Sequence, residues 1–577
     1  QDNSFLRELT ADPKEKELFP NHASRPVRTG HFVRIAPTPL RDPFLVTFSK
    51  DMAKRLGLSE EQIKSPEFVS AFAGDTFEAK QGSEDKTVSN RLEAWCTPYA
   101  VSVAGQPIPA PDPFNGYGYG DGRACSIGEF QSTSSPEERW ELQLKGCGPT
   151  PFSRQFDGRA VLRSSVREFL VSEAMHALGC PTTRALSLVA SGQDTVDRAW
   201  YRPGTVSESR DFPPDYMVVE QCAITCRAAS SFIRVGQIEL YARRLAREDS
   251  GALEGYKAFL TYTIRREFPS LKLSETPSDE ELAHGCLGML SEFAQRQAHL
   301  VQSWIRVGYV QGNMNSDNCL LAGLTMDYGP FGFMEPYIPT WNPFTSDPMR
   351  NFGFERQPRA THINLATLTE ALMPIFEKVK GCEEMAEEIV QKEFVAHHVR
   401  ERTTMRKEKL GLLNWEAEDM DTALWSELLR VLVGLDYTVF FRELSCIPRQ
   451  MFDKKSDEEI VSLVEKAFYE PLGDAHTAAL AAWLRTYSSY LEKEGRPDEE
   501  RLAAMKLANP KFVPREWMLV QAYEAAKKAD FEPLRRLQRL FETPYDEHEG
   551  ENSDEFYRPT PVEHRRVAGV SFFSCSS

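Results

Sequence analysis

In the run Gln311-Gly-Asn-Met-Asn-Ser-Asp317-Asn318, the last residue is followed nine positions later by Asp327-Tyr-Gly329. An Asn carbonyl and an Asp carboxylate on adjoining turns are hard oxygen donors, half of a shell for a divalent cation that nucleotide phosphates can complete. Either residue alone is equally suited to capping a turn. Further toward the amino terminus, Gly116-Tyr-Gly-Tyr-Gly-Asp-Gly122-Arg123 alternates glycines, which lets backbone amides approach a phosphate, and adds a guanidinium. Lys145 follows, with Gly146-Cys-Gly148 directly behind it. Arg227 and Arg234, seven residues apart, carry forks suited to phosphate oxygens, although arginines at such spacing are commonly surface residues. Asp157-Gly158-Arg159 reads as a plain turn.

The elements that must position these groups are legible nearby. Trp140-Glu-Leu-Gln-Leu-Lys145 alternates with period two, as a half-buried strand does. Val161 to Leu178 carries apolar residues at helical spacing and stops at Gly179, with Pro181 beyond. Glu168 and Glu173 lie roughly 140° apart on that helix, so only one can face Lys145. Glu168, beside Phe169 and Leu170, is the expected ion-pair partner. Glycine-rich turn, strand lysine, helix glutamate, loop Asn and Asp-x-Gly is the order found in protein kinases. One member is missing: five residues before the metal Asn, where a kinase has its base Asp, stands Asn313. An amide accepts no proton at neutral pH, and Asp317 is the nearest carboxylate that could serve instead.

A chain of 577 residues exceeds one compact core, so several packed units or an elaborated two-lobed fold are expected. The sequence predicts an α+β protein in four stretches: an N-terminal wrapping segment, 1–115; a small mixed lobe with the nucleotide-binding elements, 116–235; a large helical lobe with the metal and catalytic loop, 236–545; and a loosely ordered tail, 546–577. Capping boxes at Ser278-Asp-Glu-Glu281 and Ser456-Asp-Glu-Glu459 open helices, the first running to about Val307. An irregular insert follows at 308–333, then helices near 364–380, 383–408, 419–441, 474–493 and 514–541. The formal charge of −17 argues against a general nucleic-acid binder, while leaving room for a local basic pocket. No run reaches the length of a membrane span; the most apolar stretch, Leu428 to Phe441, is interrupted by Arg430 and Asp436. Eleven scattered cysteines without a C-x-x-C pair read as reduced buried thiols, with Cys575 the expected exposed exception. The sequence opens at Gln1, so a targeting segment can have preceded it.

Two long runs carry a resemblance. Lys145-Gly-Cys-Gly-Pro-Thr-Pro-Phe-Ser-Arg-Gln-Phe-Asp-Gly-Arg, continuing through Glu168 to His176, closely resembles the signature of the selenoprotein O family. So does Gly312-Asn-Met-Asn-Ser-Asp-Asn318 with Leu324-Thr-Met-Asp-Tyr-Gly-Pro-Phe-Gly-Phe333, and the similarity extends from roughly Asn21 to Tyr545. The resemblance implies a two-lobed protein-kinase-like fold, here with an N-terminal extension and additional C-terminal helices, that binds ATP in a flipped orientation and transfers AMP to Ser, Thr or Tyr hydroxyls of proteins. It implies ATP-binding roles for Gly120, Gly122, Arg123, Lys145, Asp157, Gly158, Arg227, Arg234 and Asp327. Glu168 corresponds to the lysine's partner, Asn318 and Asp327 to ligands of Mg2+ or Mn2+, and Asp317 to the base. Gln311 stands where the family usually has His, and Glu516 where Asn is typical, from which altered packing is expected rather than lost activity. Eukaryotic members often end in a redox C-x-x-U pair; Cys575 matches its terminal position, but Phe572 occupies the first. Members with this tail are typically mitochondrial, the alternative being cytoplasmic. The rival activities are a γ-phosphoryl kinase and an inactive ATP-binding scaffold; ATP and protein hydroxyls are the expected partners, with no nucleic acid.

Overall fold

The strand that ends at Lys145 lies inside an eight-stranded antiparallel sheet, and the strands beside it bring the chemistry-bearing residues together. A computed structural model describes residues 2–76, 92–109, 119–132, 138–202, 214–452, 455–548 and 553–573. The sheet strands are β1 (Val33–Ile35), β2 (Pro43–Phe48), β3 (Ala94–Cys96), β4 (Ala124–Gln131), β5 (Arg139–Lys145), β6 (Ala160–Val161), β7 (Arg184–Trp200) and β8 (Tyr216–Ala229). Their order is β1-β3-β4-β5-β8-β7-β2, with β6 paired to β8. Strands β1, β2 and β3 come from the stretch expected to wrap around the outside, so the amino-terminal segment is woven into the sheet. Its short helices, carrying Met52, Ile63 and Phe68, also close the apolar core on which Leu142 and Leu144 of β5 rest. The other side of β5, with Glu141, Gln143 and Lys145, is buried as well, so the expected half-exposed strand is covered on both faces.

The helix Leu162–Ala177 packs across β7 and β8 through Val166, Phe169, Leu170 and Ala174, and ends at Gly179 in the left-handed region (φ +73°) that glycine adopts without strain. Beyond β8 the described chain is largely helical. Ser278 caps the 29-residue helix Asp279–Val307 with the reciprocal Glu281 bond, and Ser456 does the same at Asp457–Val461. Two of the expected helices are broken. The 419–441 stretch is interrupted between Val431 and Tyr437, where Gly434 has φ +82°, and 514–541 is interrupted at Lys527–Phe531 around Ala529, φ +60°. The tail also differs from expectation: Phe556, Thr560 and Phe573 are buried, and Phe573 exchanges backbone hydrogen bonds with Pro343 and Thr345. Apolar residues inside its acidic sequence supply the anchorage. Every cysteine among the described residues is free, nine of them buried and Cys446 exposed. Cys575, Gly116 and Gly118 lie outside the described residues. Among the described residues no helix is long and apolar enough to cross a membrane.

Candidate active site

At the end of β5, Lys145 stands opposite Ala124 of β4 and Thr225 of β8. Its ammonium lies 2.5 Å from Glu168 Oε2 and 2.7 Å from Asp327 Oδ1. Arg227, two residues along β8 from Thr225, donates its Nε to Glu168 Oε1 and its Nη2 to Asp327 Oδ1 at 3.1 Å. Its Nη1 reaches Gln143 Oε1 at 3.3 Å. Two cations and two carboxylates from a strand, a helix, a second strand and a loop therefore form one neutral cluster. Glu173, the other helix carboxylate, turns instead to Arg184 and Ser49.

The electrostatics follow from burial and charge. Burial pushes Lys145 down, the neighbouring Arg227 charge adds to this, and the two carboxylates oppose it. For Asp327, burial acts upward, but Lys145, Arg227 and Arg123 outweigh it and hold the carboxyl well below the usual range. Glu168 is likewise lowered, because Arg227 and Lys145 overcome its burial. Asp327 is the member of the four that opens to solvent, with 27% side-chain exposure against 4–8% for Lys145, Glu168 and Arg227. Its backbone sits at φ +61°, a left-handed conformation that Asp tolerates better than most residues.

A second group lies beside the first. Arg234 donates to Asp121 Oδ1 at 2.7 Å, and the ring of Tyr99 lies 4.6 Å from the Arg234 guanidinium. The other Asp121 oxygen accepts from the Thr97 amide and hydroxyl. The glycines of the alternating run have a packing reason: a Cβ on Gly120 would meet the Phe152 ring at 2.4 Å, and one on Gly122 the Phe152 carbonyl at 2.8 Å. Arg123 acts on the Lys145 cluster through its charge. Asp157 is occupied elsewhere, accepting both arms of Arg198 and the Arg159 amide, while a Cβ on Gly158 would meet the Gly148 carbonyl at 2.1 Å.

The loop between the strands Tyr309–Val310 and Gly332–Phe333 supplies the rest, with Ser316–Asn318 forming a single 3-10 turn. Ser102 donates its amide to Ser316 Oγ, and Val235 its amide to the Cys319 carbonyl, pinning the loop from two sides. A Cβ on Gly236 would meet the Ala100 carbonyl at 2.4 Å, so the helix Val235–Ala246 approaches here as only glycine allows. Asn318 donates Nδ2 to the Asn313 carbonyl at 3.3 Å, which leaves its Oδ1 for another partner. Among the described residues, the hydrogen bonds to Asp327 use Oδ1, leaving Oδ2. Asp317 Oδ1 and Asn315 Oδ1 are buried without a hydrogen-bond partner among the described residues. Burial pushes the Asp317 carboxyl up to about 6, against the pull of Arg234.

An Asn oxygen and an Asp oxygen fit a hard dication whose remaining ligands come from phosphates and water. Among the described residues no group of three or more His, Cys, Asp or Glu forms a metal cage. Of the two departures from the family pattern, Gln311 ties Tyr309 OH to the Met326 carbonyl, and Glu516 lies 3.6 Å from Arg167 and accepts from Tyr523. Three contact residues escaped the sequence reading. Asp121 was hidden within a run read for its glycines, and Thr97 had no local signal. Gln143 shares the Lys145 face of β5, so period-two alternation contained it.

A family model described as Protein adenylyltransferase SelO matches residues 20–542. The chain is 38% identical over 581 residues to the Protein nucleotidyltransferase YdiU of Azoarcus sp. (strain BH72), covering 100% of this chain and 99% of that one. Proteins of the same name from Rhodopirellula baltica and Xanthomonas campestris pv. campestris (strain 8004) are 37% and 36% identical over 593 and 585 residues, each with 100% and 99% coverage.

Proposed function

The chain belongs to the protein adenylyltransferase SelO family and is a nucleotidyltransferase, and from that premise we propose how its residues divide the work. ATP binds with its β- and γ-phosphates toward Lys145, Arg227 and Arg234, and its α-phosphorus toward Asp317. The surrounding architecture is the two-lobed, kinase-like one, supported by the chain order of sheet first and helices after, with the charged cluster at the junction. The observation that carries this reading is the convergence of Lys145 and Arg227 on one oxygen of Asp327. Two cations gathered there suit a buried polyphosphate, and no kinase base stands at Asn313 to direct a hydroxyl at the γ-phosphorus.

Asn318 Oδ1 and Asp327 Oδ2 would hold a divalent cation, Mg2+ or Mn2+, which when bound neutralises charge developing on the phosphates. Asp317 Oδ1, buried and without a partner among the described residues, accepts the proton of the incoming protein hydroxyl. The hydroxyl oxygen forms its bond to the α-phosphorus as the bond to the α,β-bridging oxygen breaks, and pyrophosphate leaves with that electron pair. Lys145, Arg227 and Arg234 hold the departing charge, while Glu168 keeps Lys145 and Arg227 oriented. Parallel incubations with α- and γ-labelled ATP and manganese test the assignment. Label retained on protein from the α position alone, with an AMP mass increment on Ser, Thr or Tyr, is expected; label from the γ position would make the chain a kinase, and none from either a scaffold.

A further inference from the structure

Next to the Arg234 group lies a cavity of about 330 Å3 that none of the roles above uses. One wall is a two-stranded ribbon in which Tyr99 and Tyr119 are directly opposed, so both rings stand on the same face. The facing wall is the end of the helix Val235–Ala246, which brings Arg243 and Arg244, with Arg247 just past its end. Arg28 closes the cavity from the amino-terminal segment.

The charge of this lining is unusual for a chain whose formal net charge is −17. Arg243 is paired with Glu239 at 2.7 Å and Arg247 with Asp249 at 3.1 Å. Arg244 is buried, donates to the carbonyls of Gly30 and Val27 and makes no ion pair among the described residues, although Asp249 and Asp12 act on its charge through space. Exposed Arg28 has no ion pair among the described residues. Among the described residues, four guanidiniums thus meet two carboxylates paired with them, Glu239 and Asp249, while Asp12 is itself paired with Arg25, so the balance in this concave, partly apolar pocket is positive. Planar guanidiniums suit phosphate oxygens, and the volume is at the small end of those that hold discrete ligands. Tyr99 lines this cavity and also carries the Arg234 guanidinium, so the cavity and the phosphate-directed group share a side chain.

We propose that this cavity is a second anion site, which takes inorganic pyrophosphate or a similarly short polyphosphate through Arg28 and Arg247. Its role as a station for the departing product rests on the adenylyl-transfer reading; binding itself does not. The neighbouring geometry supports the connection, because Ala100 of the cavity wall also abuts Gly236, whose Cβ position lies 3.4 Å from the backbone of Asp317.

Calorimetric titration of the intact chain with sodium pyrophosphate tests this without turnover. Two binding events are expected, one at the Lys145 cluster and one here. In Arg28→Glu/Arg247→Glu the second weakens by about tenfold or more, while ATP affinity stays unchanged. Arg28→Gln/Arg247→Gln should show the same loss in milder form, and the distant reversal Arg430→Glu none. A single event in the unaltered chain, two unchanged events in the variants, or an equal loss of ATP affinity would overturn the proposal. Loss of pyrophosphate binding here alongside α-label transfer sinks the site alone. A second event without α-label transfer keeps the site and sinks the reading of the reaction.

Discussion

Around Lys145 four charged side chains satisfy one another, whereas around Asp317 two buried oxygens, Asp317 Oδ1 and Asn315 Oδ1, have no hydrogen-bond partner among the described residues. The first region is preassembled: strand, helix and loop are already locked by short ion pairs, so little reorganisation would remain for the polyphosphate proposed to bind there. The second carries the cost of burying polar atoms without partners, of the order of 1–3 kcal/mol per group. Such a cost in a loop pinned by Ser102 and Val235 is what a site retains for a partner that comes from outside. A saturated half and an unsaturated half respond differently to substitution, and that difference can be measured.

The largest effect is expected from Asp327→Ala, which removes both the anchor of Lys145 and Arg227 and the expected metal oxygen. AMP labelling should fall by on the order of a thousandfold or more, read with α-labelled ATP and manganese. Unchanged labelling would detach the saturated cluster from the chemistry. Next comes Asp317→Asn, for which kcat drops by roughly a hundred- to ten-thousandfold while KM for ATP is preserved. Because the substitution removes a buried carboxylate with an unpartnered oxygen, Tm should hold or rise. A Tm loss with intact kcat would show that Asp317 belongs to the framework instead. Glu168→Gln inverts that pattern. It leaves Lys145 and Arg227 with one shared carboxylate, so thermal stability falls by an amount on the order of 3–5 kcal/mol, the cost of breaking a buried pair. Activity falls about ten- to a hundredfold, through poorer phosphate positioning. Thermal melts and kcat/KM on the same samples separate these two outcomes.

What the sequence disclosed divides along a related line. Lys145 on its strand, the helix ending at Gly179 and the Ser278 cap are fixed by local periodicity and backbone preference, and each is found as expected. Glu168 is brought to Lys145 by the sense of its helix face, which a wheel diagram contains. The longest described strand, β7, was not among the elements expected from the sequence; its Ser191-Gly-Gln-Asp194 stretch, of turn-like composition, occupies an irregularity in register between Ala190 and Thr195. Ser191 Oγ there accepts the amides of Gln193 and Asp194, so turn chemistry is present without ending the strand. The hold of Asp121 on Arg234 spans 113 residues and that of Phe573 on Thr345 spans 228. Contacts of that length are set by tertiary packing, and no local pattern encodes them.

The smallest expected effect probes the link between the two halves. Gln311 accepts from Tyr309 OH at 2.6 Å and donates to the Met326 carbonyl at 2.7 Å, one residue before Asp327. It is thus a strut from the start of the loop that bears Asp317 to the backbone that sets Asp327. A neutral imidazole offers one donor and one acceptor, so Gln311→His can keep both bonds if one ring nitrogen faces each partner. Activity should then stay within about threefold of the unaltered chain, with a Tm change matching at most one hydrogen bond, ~1 kcal/mol. Gln311→Leu keeps neither bond and leaves the Met326 carbonyl short of a donor, so it should lower Tm further and reduce kcat severalfold. If Leu and His behave alike, the paired cluster and the unpaired loop are held in register by other contacts, such as the Tyr309–Phe333 strand pairing, and Gln311 only fills space.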